Sequence, residues 1–365
     1  MLKSIELVEV ALNNIGVGKL IITPEHLCAF EYNAEYLSSG ISVSPFYLPL
    51  KPGVFIAKRE PFQGLFGVFN DSLPDGWGML LTDRYLMKNK ISPAKLTVLD
   101  RLCLVGNAGM GALTYEPDNA PENADDYKDL NQLSLEIERI LNNDFSGSLE
   151  ELYQKGGSSG GARPKVLVSI NNEYWIIKFR ASTDPENIGE TEFRYSQVAR
   201  KCGIEMPETR LFENRFFGAK RFDRYNNSRY HVHSASGLLY ASHRFPSLDY
   251  KDLLKACMAL THDIEQSYSL FRLMVFNILT HNRDDHAKNF SFILIDGNWK
   301  LSPAYDLVFS NGFNGQHTTT IDGSGEPDRK DIFEVAKAGG LARKKAQMIF
   351  DEVFEASREI RQYIP

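Results

Sequence analysis

Cysteine is scarce in this chain. Its 365 residues include four, Cys28, Cys103, Cys202 and Cys257, far apart and without paired spacing. That argues against a zinc ribbon and a disulfide framework, and points to a reducing, cytoplasmic compartment. Long apolar runs are missing too. No stretch approaches the ~18 apolar residues of a membrane-spanning helix, so no membrane association is expected. The start, MLKSIELVEVALNN, is interrupted by Glu6 and Glu9 and has no small-residue cleavage site, so no signal peptide is expected. There is no basic excess either: 41 Lys and Arg face 47 Asp and Glu, for a net charge of −6. A protein holding DNA through its own surface usually shows the opposite balance, which leaves a local basic patch or contact through a partner. No internal repeat stands out.

What is present is ordinary globular material, 43% hydrophobic and 24% charged, enough for about two domains or two lobes. The stretch 116–130, EPDNAPENADDYKDL, is acidic, carries two prolines and lacks apolar periodicity. It reads as a linker. Before it, Val8 to Ile22 and Leu27 to Tyr32 have strand content. Trp77, Leu80, Leu81 and Tyr85 have the spacing of a helix over about 77–88, which Asp75 can cap. After it come a helix marked by Leu133, Ile137, Ile140 and Leu141, and the Gly/Ser-rich stretch 156–161. Hairpins are predicted over Asn171-Asn172-Glu173, Asn214-Arg215 and Asp296-Gly297-Asn298. Helices are predicted over 190–202, 250–260 and 266–280 and again from 329 onward.

The densest chemistry lies in His281-Asn-Arg-Asp-Asp-His-Ala-Lys-Asn289. So many polar groups gain nothing from core packing, because each costs desolvation unless it is satisfied. Asp284 and Asn289 have the Asp-x-x-x-x-Asn spacing of kinase catalytic loops, where Asp meets the substrate hydroxyl and Asn reaches a magnesium ion. Asp306, beyond the next hairpin, sits among apolar residues in Ser302-Pro-Ala-Tyr-Asp-Leu307 and can return to the same ion. Upstream, the glycines of 156–161 would let backbone amides approach phosphates. Lys178 ends the strand Trp175-Ile-Ile-Lys178, sharing a face with Ile176, and Glu192 on the next helix is its plausible ion-pair partner. Each signal is weak alone; the ordered set is far less probable by accident.

These segments resemble a known family, the HipA-like serine/threonine kinases, toxin components of type II toxin–antitoxin systems. The resemblance rests on Leu73-Pro-Asp-Gly-Trp-Gly78, Gly160-Gly-Ala-Arg-Pro-Lys165, Ile176-Ile-Lys-Phe179, Lys220-Arg-Phe-Asp-Arg224, Asp284-Asp-His-Ala-Lys-Asn-Phe290 and Ser302-Pro-Ala-Tyr-Asp-Leu307. It implies an α+β, two-lobed protein-kinase-like fold with a strand-rich N-terminal part and an all-helical C-terminal lobe. In those terms 1–115 is an N-terminal subdomain, 116–130 the linker, 131–224 the kinase N-lobe and 225–365 the helical C-lobe.

It further implies ATP and Mg2+ as cofactors. Asp284 becomes the catalytic acid, with Lys288 and His286 in the same motif, and Asn289 and Asp306 become metal ligands. Ser158, Ser159, Gly160, Gly161, Ala162, Lys165 and Lys178 are expected around the phosphates, and Lys220, Phe222 and Asp223 on the adenine-side segment. Ser158, or else Ser159, would be autophosphorylated. The expected partners are a small DNA-binding, HipB-like antitoxin and a translation-related protein substrate, often an aminoacyl-tRNA synthetase in this family. Two alternatives stand beside it. One is a catalytically silent binding module or co-antitoxin. The other is a metal-dependent phosphohydrolase using His281, Asp284, Asp285 and His286.

Overall fold

A computed structural model describes residues 5–121, 129–142, 149–226 and 228–361. The chain divides into two compact units, 1–190 with 210–231, and 191–209 with 232–365.

The first unit opens with β1 (Leu7–Leu12), β2 (Ile15–Ile22), β3 (Cys28–Tyr32) and β4 (Val54–Ile56), and recruits β5 (Leu113–Glu116) into an antiparallel sheet of order β4-β3-β2-β1-β5. Asn13 and Asn14 link β1 to β2, both at positive φ, which Asn tolerates better than most residues. The short helix α1 (Gly67–Asn70) and then α2 (Gly76–Lys88) and α3 (Val98–Val105) follow β4. Asp75 occupies the position before α2, as expected, but its side chain does not cap that helix; its Oδ1 accepts from the Gly161 amide instead. Of the expected linker, residues 122–128 lie outside the described residues.

Next come α4 (Leu130–Leu141), α5 (Leu149–Gly156), β6 (Lys165–Ile170) and β7 (Glu173–Lys178). The β6–β7 turn has two residues, where three were expected. Ile170 pairs with Glu173, and Asn171 and Asn172 both take positive φ, as a type I′ turn requires. The chain continues through α6 (Ile188–Lys201) to β8 (Thr209–Phe212) and β9 (Phe216–Lys220), which complete a sheet of order β6-β7-β9-β8. Trp77, Leu81, Ile137, Val166, Trp175 and Ile177 form the core beneath it. A short ribbon, β10 (Arg224–Tyr225) with β11 (Ser228–Arg229), closes the unit.

The second unit contains β12 (His231–Ser234), α7 (Ala235–Leu239), β13 (Leu248–Asp249), α8 (Tyr250–Thr261), α9 (Ile264–Leu279), β14 (Ser291–Ile295), β15 (Asn298–Leu301), β16 (Thr319–Thr320), α10 (Arg329–Ala338), α11 (Arg343–Ala356) and α12 (Arg358–Arg361). Leu253, Cys257, Phe271, Met274, Phe276, Phe292 and Ile349 are among its core residues. The expectation of an all-helical lobe needs one correction. A three-stranded sheet, β12-β14-β15, accompanies the helices, because Asp296-Gly297 makes a two-residue turn with both residues at positive φ. Among the described residues, no helix is long and apolar enough to cross a membrane.

Candidate functional site

The segment 281–289 leaves α9 and is strapped down along its length. His281 takes φ 52, and its carbonyl accepts from the Ser310 amide at 2.9 Å, while the Thr318 amide donates to the Arg283 carbonyl at 3.1 Å. The adjacent acids Asp284 and Asp285 then have opposite fates. Asp284 is exposed; Asp285 is 1% exposed. The Asp285 carboxylate accepts from Tyr250 Oη, His317 Nδ1 and the Thr318 amide, each at 2.9 Å, and from the Thr319 amide at 3.2 Å. Asn277 Nδ2 donates to Tyr250 Oη at 3.1 Å and Asn282 Nδ2 to Asn277 Oδ1 at 3.0 Å, extending the network along α9. Burial, and then the negative charge of Asp285, push the Tyr250 phenol well above its ordinary pKa. Sequence reasoning gave Asp285 no part in the kinase site. No local signal separates it from Asp284, because the donors that claim it come from Tyr250, His317, Thr318 and Thr319.

With all four of those donors on its oxygens, Asp285 drops out of the hydrolase ligand set His281, Asp284, Asp285 and His286. Among the described residues, no group of three or more His, Cys, Asp or Glu could hold a metal ion.

The expected magnesium ligands are joined through their neighbours. Tyr305, preceding Asp306, donates to the carbonyl of Lys288, preceding Asn289, at 2.7 Å, and its hydroxyl also bonds Ser291 Oγ. Asn289 Nδ2 donates to the Asp284 carbonyl at 2.7 Å, so its Oδ1 is the oxygen it can offer a cation. Asp306 takes φ 54, an uncommon conformation for a residue with a Cβ and a frequent mark of functional positions. One amide oxygen and one carboxylate, both half-buried, suit a hard cation that keeps waters and phosphate oxygens as its other ligands. His286 is half-buried, with a buried Nδ1 that has no hydrogen-bond partner.

In the first unit, the Gly-rich stretch closes α5 and leads into β6. Gly160 and Ala162 are exposed and Gly161 takes φ 84. Ser159 is buried, its hydroxyl donating to the Gly156 carbonyl at 2.6 Å. Ser158 is only half-buried, its hydroxyl donating to the Ala108 carbonyl at 3.2 Å. Lys165 is buried and donates to the Gly160 carbonyl at 2.5 Å, bracing the loop. Lys178 pairs across the sheet with Lys165 and lies 5.5 Å from the Phe217 ring centre, on the face shared with Ile176 as predicted. Glu192 is buried in α6.

The segment 220–224 divides sharply. Lys220 Nζ donates to Glu173 at 2.5 Å, and that bond holds the Glu173 carboxyl below its usual pKa. Phe222 is half-buried. Asp223 is buried and accepts from Arg221 Nε at 2.9 Å, Arg221 Nη2 at 2.7 Å, Arg224 Nη1 at 2.6 Å and the Gly111 amide at 2.7 Å. Burial alone would raise its pKa, but the two guanidiniums prevail and hold it at about 2. Arg221, Arg224 and Arg229 also donate to carbonyls between Asn107 and Leu113. The adenine-side role expected of Asp223 therefore gives way to a structural one, because its oxygens are already taken by these donors.

Two family models match this chain, the HipA N-terminal domain over residues 8–116 and the HipA-like C-terminal domain over residues 157–360. The protein of Sinorhizobium fredii named "Putative kinase Y4dM" is 23% identical over 345 residues, covering 85% of this chain and 82% of that one. A Haemophilus influenzae protein named "Putative kinase" is 24% identical over 182 residues, 42% of this chain and 53% of that one. Among solved structures, HipA in the Shewanella oneidensis complex of HipA, HipB and operator DNA matches with a TM-score of 0.71 and 19% identity, covering 98% of this chain and 91% of that one. At that identity the likeness shows the fold, in agreement with the kinase-like architecture expected. By its two matched domains, the chain belongs to the HipA family.

Proposed function

We propose that this chain is an ATP- and magnesium-dependent protein kinase of the serine/threonine type, acting as the toxin of a toxin–antitoxin pair. The observation that supports this most is the split between the paired acids. Asp285 is buried and bonded on both oxygens, which fixes the loop, while Asp284 stands exposed beside it where it can orient a substrate hydroxyl. Asn289 and Asp306 would hold magnesium, which when bound supplies charge neutralisation on the phosphates. The residues of the chain bind and orient. The amides of Ser158, Gly160 and Ala162 and Lys178 would hold phosphate oxygens, Lys288 would touch the transferring group, and His286 would brace the loop. Most of the rate would come from positioning and electrostatics.

Ser158 is the better phosphosite of the two loop serines, because Ser159 is buried with its hydroxyl bonded inside its own loop. A HipB-like antitoxin is the proposed partner, since the matched structure is a complex with HipB and operator DNA. It would supply the DNA contact that a net charge of −6 disfavours for this chain alone. The proposed substrate is a translation-related protein, with an aminoacyl-tRNA synthetase as the first candidate.

The test is incubation of the purified chain with γ-labelled ATP and magnesium, beside Asp284→Asn and Asp306→Asn. Label on Ser158 that both variants abolish supports the reading. Equal label in wild type and variants, or none anywhere with the loop unphosphorylated at the outset, contradicts it.

A further inference from the structure

The motif Leu73-Pro-Asp-Gly-Trp-Gly78 lies nearly 80 residues before the Gly-rich loop, yet the two meet backbone to backbone. Asp75 Oδ1 accepts from the Gly161 amide. The Trp77 amide returns a bond to the Gly161 carbonyl at 3.0 Å, and Trp77 Nε1 donates to the Lys165 carbonyl, also at 3.0 Å. One turn further, the Thr82 hydroxyl is shared between the Gly78 carbonyl of its own helix at 2.8 Å and the Gly157 carbonyl at 3.2 Å. The approach is too close for side chains. A Cβ on Gly76 would lie 2.5 Å from the Gly161 carbonyl oxygen, and one on Gly78 would lie 2.2 Å from that of Ser159. Trp77 is 1% exposed and Thr82 is 4% exposed, so their bonds are made away from solvent, while the Asp75 bond is half-buried.

Such a grip has a purpose that core packing does not supply. A glycine-rich segment loses more conformational freedom on ordering than any other, and an unsupported one would have to be ordered by its ligand. We infer that the start of α2 is the seat of the nucleotide loop, with Asp75, Trp77 and Thr82 as positioning residues that hold residues 157–161 in their phosphate-binding arrangement before ATP arrives. The inference rests on the nucleotide reading above and adds to it a regulatory handle. Anything that shifts the start of α2 would change ATP affinity without touching ATP.

The test is calorimetric titration of the full chain with ATP and magnesium at a temperature where every variant is folded. Asp75→Ala removes the acceptor and is expected to weaken ATP binding about tenfold, the scale of one hydrogen bond to a charged group. Asp75→Asn keeps an oxygen in place and is expected to stay within about threefold of wild type on the same reasoning. Rescue by the amide is what a merely stabilising residue would not show, since affinity below the melting temperature would then be unaffected by either change. Wild-type affinity in Asp75→Ala overturns the seat while leaving the nucleotide site standing. Failure of the wild type itself to bind ATP overturns the nucleotide reading and the seat with it. If Asp75→Ala does not fold, Thr82→Val decides by the same criterion, because it keeps the side-chain shape and removes only the hydroxyl shared between the Gly78 and Gly157 carbonyls. Weakened binding supports the seat and unchanged binding overturns it.

Discussion

Replacing Asp285 with alanine strands four donors at once: the amides of Thr318 and Thr319, the Tyr250 phenol and His317 Nδ1. An unsatisfied buried donor costs about 1–3 kcal/mol, and partial relaxation and entering water relieve some of that. The expected loss is about 4 kcal/mol, a large share of the ~5–15 kcal/mol that holds a domain folded. Asparagine should behave differently. With Oδ1 in the place of the oxygen facing the two amides, both of those bonds survive. Its Nδ2 can then donate to Tyr250 Oη and to His317 in the tautomer that carries its proton on Nε2. Tyr250 already accepts from Asn277, so its own proton is left without a partner, and about 1–2 kcal/mol is lost. Urea unfolding followed by circular dichroism reads both values. The reasoning is refuted if alanine and asparagine destabilise equally, or if neither moves the midpoint. A separate consequence concerns activity. On the proposed reading, the folded Asp285→Asn protein should still bind magnesium, because the Tyr305 bond to the Lys288 carbonyl, which ties the segments of Asn289 and Asp306, does not pass through Asp285.

Further outcomes follow from the same geometry. Tyr305→Phe removes the hydroxyl that ties Lys288 to the Asp306 segment; it should cost only about 1 kcal/mol of stability but raise the magnesium concentration needed for half-maximal phosphate transfer, measured by magnesium titration. Asp223 has its pKa lowered from 3.8 to about 2, so its contribution is fully present above about pH 4 and is lost as pH falls toward 2. Unfolding midpoints across that window should therefore drop with pH, and Asp223→Asn should flatten the drop by about 2 kcal/mol. Burial pushes the thiols of Cys28, Cys103 and Cys257 up to about 12 and that of Cys202 to about 11. Native protein at pH 8 should therefore resist iodoacetamide at all four, and labelling before unfolding, seen by mass spectrometry, would contradict the burial described.

Much of this was legible in the sequence because periodicity and turn chemistry are local. The spacing of Trp77, Leu81 and Tyr85 marked α2, and the Asp-x-x-x-x-Asn spacing marked the loop. What the sequence left open depended on distant partners. Asp75 looked like a cap because that is what an Asp before a helix does locally. Its actual acceptor role toward Gly161 depends on a contact 86 residues away. Asp223 stood in a conspicuous basic motif and read as a ligand-facing acid, yet the arginines beside it and the Gly111 amide claim it for structure. Asp285 could not be ranked against Asp284 without Tyr250, His317 and the two threonine amides, all more than 30 residues distant. The turn at Asn171-Asn172 was one residue shorter than expected because Glu173 pairs with Ile170 in the sheet rather than extending the loop.

The central claim is that the Gly-rich loop, Lys178 and the 284–306 segment serve phosphoryl transfer. A crystal structure of the chain with magnesium and a non-hydrolysable ATP analogue tests it most directly. The metal is expected on Asn289 Oδ1 and the Asp306 carboxylate, with phosphate oxygens met by the amides of Ser158, Gly160 and Ala162 and by Lys178. A nucleotide bound away from these residues, or a metal that ignores Asn289 and Asp306, would contradict it.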